Sequence, residues 1–186
     1  MKKPHSGSPL RFLLIFLGLF LFFYYFNIFF FSITSHGGHY SLFFDEHLNY
    51  IRWFRHLLLH ISKTIISWLG YNSISNDYQL LVAGHGVIDV VYSCLGLGIM
   101  SFFSAFVIAY PKRLKPKLIF LFTGVICIQI LNVLRFVLLA LSWDKKSKVI
   151  LDHHTIFNIV IYTIIAISLY FWIKQDDKQP IAGAKN

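Results

Sequence analysis

The apolar residues of this chain fall into long runs separated by short polar or basic segments, and the runs differ in kind. Phe12 to Ile33 is almost unbroken and rich in aromatics, longer than the ~20 apolar residues that cross a hydrocarbon core ~30 Å thick. The runs from about Val91 to just before Pro111, from about Leu118 to Leu141, and from Thr155 to Ile173 read in the same way. Ile51 to Leu69 follows another pattern. Arg52, His56, His60, Lys63 and Ser67 recur at helical spacing along one stripe, with Phe54, Leu58, Ile61, Ile65 and Leu69 along the opposite one. A helix with one basic and one apolar face lies in the membrane interface; a buried spanning helix is the competing reading. Gly70 to Asp77 is turn-rich, and Tyr78 to Val91 has extended, β-like composition around Gly84, His85 and Gly86. The pattern therefore predicts an all-α fold: a polytopic helical membrane bundle of about four transmembrane helices plus an interfacial amphipathic helix.

Composition agrees, since 56% hydrophobic residues, 18% aromatics and a mean hydropathy of +0.63 exceed what a soluble domain carries. The 186 residues suffice for one bundle. The expected organisation is a cytoplasmic N-terminal segment 1–11, a single membrane domain 12–173 and a disordered cytoplasmic tail 174–186. The first apolar run is longer than the core of a secretory signal and is followed by no small-residue cleavage pattern, so it reads as a retained anchor.

The formal charge of +9 would point to nucleic acid in a soluble protein, but the Lys and Arg flank the apolar runs, and no fold or aromatic-basic motif supports nucleic-acid binding. They read as topology signals. Pro-Lys-Arg-Leu-Lys-Pro-Lys, residues 111–117, is the densest cationic loop and is expected in the cytoplasm, as is the N-terminus behind Lys2, Lys3 and Arg11. Four spans in a cytoplasmic (inner) membrane, with both termini inside, satisfy this bias and put residues 34–90 and 142–154 outside. Lys145, Lys146 and Lys148 in the second of these loops weaken the bias without reversing it.

On that topology Cys94, Arg135 and His154 all come out in the outer leaflet. Cys94 sits in or near the first turn of its span, where the helix dipole and free amides stabilise a thiolate. Cys127 lies deep in an apolar run and reads as a packing residue; two cysteines make no disulfide framework. Arg135 lies about two turns inside its span, where an arginine costs ~2.5–3.5 kcal/mol on insertion scales. It needs a partner or a polar cavity, or must snorkel to the headgroups. Gln129, Asn132 and Arg135 recur every three residues, with Ser142 one heptad further on, as a polar stripe. His154 opens the last span after Asp152 and His153, with Asn158 and Tyr162 following at four-residue steps. Each feature has a bland reading: a small residue of a membrane helix, a snorkelling cation, a wetted helix cap. Together they supply a cysteine acyl-transfer site, with Cys94 as nucleophile, His154 as acid and base, and Arg135 as electrostatic stabiliser of the thiolate or oxyanion.

At these residues the chain resembles the exosortase/archaeosortase family of membrane cysteine transpeptidases. Cys94-Leu95-Gly96-Leu97 at the head of one span, Asn132-Val133-Leu134-Arg135 in the next and His154 at the head of the last match the family's Cys, Arg and His in order and position. Leu69-Gly70 and the extended Tyr78 to Val91 run resemble its approach to the cysteine. The likeness covers about residues 65–173. It implies catalytic Cys94, Arg135 and His154, supported by Asn132, His153 and Asn158, with His154 favoured over His153 because of Asn158. It also implies membrane lipid around the bundle and no cofactor. The substrates would be exported proteins with a C-terminal sorting signal: a short motif, a hydrophobic helix and a basic tail, cut near the outer face. Leu95 departs from the small or polar residue that usually follows the family cysteine.

Other chemistries fit less well. No His-x3-His pair sits beside a carboxylate in one well-defined helix, and His56 and His60, on the basic face of theirs, lack an acidic neighbour, so no metal site is expected. Ser93 and Ser101 lack the glycine-flanked context of an intramembrane serine protease. The alternatives are a non-enzymatic membrane scaffold or accessory subunit of an envelope export system, and an acyltransferase acting on lipid or glycan.

Overall fold

A computed structural model describes residues 9–35, 40–142 and 153–175, the side chains of 153–156 excepted. The chain divides into two compact units, Met1–Lys148 and Val149–Asn186. In the first, α1 (Pro9–Thr34), α2 (Leu42–His47) and α3 (Tyr50–Trp68) precede a small sheet of β1 (Ser73–Ser75), β2 (Gln79–Val82) and β3 (Val87–Asp89). A 3-10 turn, Tyr92–Leu95, leads into α4 (Leu97–Ala109), and α5 (Leu114–Ser142) follows. The second unit holds α6 (His153–Lys174).

Among the described residues three helical stretches are long and apolar enough to cross a membrane: Pro9–Thr34, Leu114–Ser142 and Phe157–Lys174. The fourth expected span is shorter. Its first residues are used by the 3-10 turn and by Gly96, whose φ of 72° is left-handed, and Pro111 stops it at the other end. The 13 residues that remain in α4 rise ~20 Å at 1.5 Å each, against a core of ~30 Å.

The phenylalanines of α1 have a packing role that hydropathy hides. Phe12, Phe16 and Phe20, each four residues apart, stack along one face and meet Phe102 and Phe106 of α4 edge to face at 5.4–5.9 Å between centroids, the arrangement the ring quadrupoles favour. On the other side of α4, Phe103 reaches over Gly124 of α5; a Cβ at Gly124 would collide with that ring.

The all-α expectation omits the sheet, an antiparallel meander in the order β1-β2-β3. Asn76 turns the chain between β1 and β2, its Oδ1 accepting from the backbone N–H groups of Tyr78 and Gln79 at 2.9 and 2.7 Å, a side-chain mimic of a turn. Gly84, at φ 83°, turns the chain between β2 and β3. Alternation then buries Leu80, Val82 and Ile88 against α3 and α5.

The inward face of α3 is rotated from the stripe read in the sequence. Ile51, Arg55, Leu58, Leu59, Ser62 and Ile66 are buried, while Ile61 and Leu69 are exposed. The reason is tertiary: α3 has to cover both the sheet and α5, so its face is set by two partners. Cys127, expected to pack, is exposed on α5 among the described residues.

Candidate active site

The sheet delivers the chain to the cysteine. Val90 N–H donates to Tyr78 O at 2.7 Å, Val91 is extended, and Cys94 N–H donates back to Val91 O at 2.9 Å to close the 3-10 turn. Cys94 therefore stands just ahead of α4, with Gly96 as the N-cap residue, and not inside the first helical turn. Its side chain is buried.

Gly96 is required twice. Its φ is in the region that L side chains rarely adopt, and a Cβ there would collide with the Asn132 side-chain amide. That contact brings α5 against the turn. Asn132 is wholly buried; its Nδ2 donates to Leu95 O at 3.4 Å and to Gln129 Oε1 at 3.1 Å, while Gln129 Nε2 lies 2.7 Å from Met100 Sδ.

One turn further along the same face, Arg135 Nη2 donates to Cys94 O at 3.1 Å. The guanidinium also interacts electrostatically with the Cys94 side chain and lies 5.5 Å from the Phe136 ring. At 2% exposure Arg135 does not snorkel. Gln129, Asn132 and Arg135 thus lie along one working stripe, whereas Ser142 is exposed.

The turn is consequently fixed by two side chains of one helix, α5. A fixed positive charge in a low-dielectric interior, beside a thiol whose backbone it also holds, is an arrangement suited to stabilising negative charge on sulfur or on an adjacent oxygen. His153 and His154 open α6, in the second unit, and their side chains lie outside the described residues. Asn158 is one turn beyond His154 on α6 and is engaged there.

Two features escaped the sequence reading. His56 has an acidic neighbour after all: Nε2 is 3.3 Å from Asp77 Oδ1, and Asp77 Oδ2 accepts from Arg52 at 3.2 Å. Arg55 lies on the buried face of α3 beside the cysteine turn. Its position in the series 51, 55, 58, 62, 66 is the signal that could have found it, because helical period alone puts it among apolar residues.

A helical membrane protein with a buried cysteine turn braced by an arginine and an asparagine from the following helix is the class these features define. The chain belongs to the transmembrane exosortase family, whose model matches residues 2–172, and with it goes the general role of a membrane cysteine transpeptidase. No curated protein and no solved structure matches the chain.

Proposed function

We propose that this protein cuts the C-terminal sorting signals of exported proteins near the outer face of the cytoplasmic membrane, with Cys94 as nucleophile, His154 as acid and base, and Arg135 as electrostatic stabiliser. The observation that carries the reading is the hydrogen bond from buried Arg135 to the carbonyl of Cys94, 41 residues earlier. A membrane helix seldom takes a charge inside unless the charge has work there, and this one converges on the nucleophile of a family of cysteine transpeptidases.

In this mechanism Cys94 Sγ bonds to the scissile carbonyl carbon as His154 takes the thiol proton. Arg135 lowers the energy of the charge that develops. The C–N bond breaks, the leaving amine receives the proton from His154, and an acyl-enzyme remains. Water or an amine, deprotonated by His154, then attacks the thioester; the C–S bond breaks and the proton returns to sulfur. Asn132 positions the turn from behind, with His153 and Asn158 as supporting residues. The substrate's hydrophobic helix lies in the bilayer beside the bundle and its basic tail stays with the 111–117 loop in the cytoplasm, the N- and C-termini of the enzyme being on that side.

The test is a C-terminal peptide survey of envelope proteins in the native host, wild type against Cys94→Ala at matched expression. Loss of a defined set of processed C-termini, with uncut hydrophobic tails accumulating, is the expected result. Unchanged C-termini would reject the peptidase and leave a scaffold or a lipid-directed acyltransferase.

A further inference from the structure

The faces of α4 have different fates. Phe102 and Phe106 meet the phenylalanines of α1, and Phe103 packs over α5. A third face, the stripe Leu97, Ser101, Ser104 and Ile108 at helical spacing, lines a groove of about 640 Å³ whose walls also come from α1, α3 and α5. On the α3 wall Trp53 and Leu57 are more than half exposed, so apolar surface is left uncovered there.

The ends of the groove differ in charge. Near Leu97, Tyr50 Oη donates to Asn27 Oδ1 at 2.6 Å, Asn27 Nδ2 donates to Phe23 O at 2.7 Å and to Ser101 Oγ at 3.3 Å, and Ser101 Oγ donates to Leu97 O at 2.8 Å. The donors of this cluster are spent on the protein itself. At the Ile108 end, Lys117 Nζ donates to Ile108 O at 2.9 Å, which uses one of the three hydrogens of an ammonium group. Arg113 and Lys115 lie in the same loop, and among the described residues neither they nor Lys117 is paired with a carboxylate. Residues 90–143 contain no Asp or Glu.

Size narrows the choice of occupant. From Leu97 to Ile108 α4 rises ~16 Å at 1.5 Å per residue, about half of a hydrocarbon core ~30 Å thick, which is the depth of one leaflet. Spread over this length, the volume gives a mean section of about 40 Å², no more than about half that of a helix ~10–12 Å across. The groove admits a hydrocarbon chain and does not enclose a helix. Protein interiors pack too closely to leave such a space void, and at bilayer depth hydrocarbon, not water, is at hand to fill it.

We infer that the groove binds an anionic phospholipid, with an acyl chain along Leu97–Ile108 of α4 and the phosphate at Lys117, flanked by Arg113 and Lys115. Lys and Arg clustered at a membrane edge attract anionic headgroups, and the remaining ammonium hydrogens make charge-assisted bonds to phosphate oxygens. The chain completes the packing between α3 and α4. The headgroup sits at the end of α4 opposite Cys94, so the site is independent of the peptidase reading.

The test titrates phosphatidylglycerol, phosphatidylcholine with the same acyl chains, and glycerol phosphate against the full-length protein in detergent. Bound lipid is counted by native mass spectrometry and unfolding is followed by heat. Phosphatidylglycerol binds at one site and raises the unfolding temperature, phosphatidylcholine binds roughly tenfold more weakly, and glycerol phosphate has no effect. Lys117→Gln weakens phosphatidylglycerol by roughly fivefold, the worth of one cation near an anionic surface, and leaves phosphatidylcholine unchanged. Ser104→Phe sets a ring in the groove and removes both. Phosphatidylglycerol with a diazirine at its chain end labels wild-type α4 between Leu97 and Ser104, a readout that does not depend on how well Ser104→Phe folds. Cys94→Ala binds the lipid as the wild type does, whichever way the C-terminal survey comes out. Equal affinity for the two phospholipids, stabilisation by glycerol phosphate alone, or label confined to other segments would overturn the site. So would the absence of retained lipid, which would give the groove to a protein partner.

Discussion

The surroundings of Arg135 and of Arg55 make an instructive pair. Both side chains are carried into the interior by helices, at 2% and 5% exposure, and both flank the Cys94 turn. Arg135 grips the chain, donating to the Cys94 carbonyl and acting on the thiol. Among the described residues Arg55 grips no backbone. It lies over an aromatic ring and borders a cavity. Burying a guanidinium is costly wherever it happens, and the cost is offset only where its donors meet acceptors. The first arginine holds the protein's own structure; the second has an aromatic ring as its partner. Their removal should accordingly have opposite signatures.

The largest separation is expected in turnover. Arg135→Gln should lower processing of sorting signals by roughly 10²–10³-fold, the loss typical of removing one fixed stabiliser of developing charge. Quantified cut and uncut C-termini at equal enzyme abundance measure it, and a loss smaller than that of Arg55→Gln would invert the comparison. Next comes the turn itself. Gly96→Ala should destabilise the protein by about 1–3 kcal/mol, through a left-handed backbone that alanine resists and the collision with Asn132. Thermal unfolding in detergent reads the effect, and Asn132→Ser in the same chain should return only the steric part.

A subtler outcome distinguishes the two arginines by sign. Arg55→Met keeps length and removes a poorly paired buried charge, so it should leave stability unchanged or raise it by about 1–2 kcal/mol, less the cation–π contact with Tyr78, worth ~0.5–1 kcal/mol. Arg135→Met should destabilise, by about 1–3 kcal/mol, because the Cys94 carbonyl loses its donor. If both substitutions destabilise equally in the same melting assay, Arg55 is a structural residue and the contrast collapses. Smallest of all is the exposed Arg52–Asp77 pair, whose side chains are 47% and 45% accessible; Asp77→Asn should shift stability by no more than ~0.5 kcal/mol, and less in high salt.

The parts of the site legible in the sequence were those written in a single helix. Asn132 and Arg135 stand out because polar residues at three-residue spacing in an apolar run can only share a face. Cys94 was placed near the head of its helix because the apolar run begins just before it, at about Val91. What hydropathy could not show was that Gly96 is left-handed and ends the helix early, since a glycine inside an apolar run lowers no average; hence a 13-residue α4 where a full span was expected. Nor could it find Arg55. The stripe on α3 was chosen by contrast between basic and apolar residues, whereas the true inward face is decided by the sheet and α5 together. The extended composition before Cys94 was visible, yet a sheet of three short strands depends on pairings between residues as distant as Gln79 and Asp89, which no local pattern encodes. His154 was chosen from chain order and from the polar residues that follow it, and its side chain falls outside the described residues.

The supports of the Cys94 turn have a consequence for how the protein is born. The side chains that brace the turn belong to residues 37 and 41 positions downstream of the groups they hold. A nascent chain is made from its N-terminus at about 5–20 residues per second, so for seconds after Cys94 has been added to the chain the residues that shape its surroundings do not yet exist. During that interval the thiol sits in an unbraced segment. On the proposed mechanism, a chain that ends between these two positions lacks both Arg135 and His154 and cannot cut: the capacity arrives only with helices made after the nucleophile.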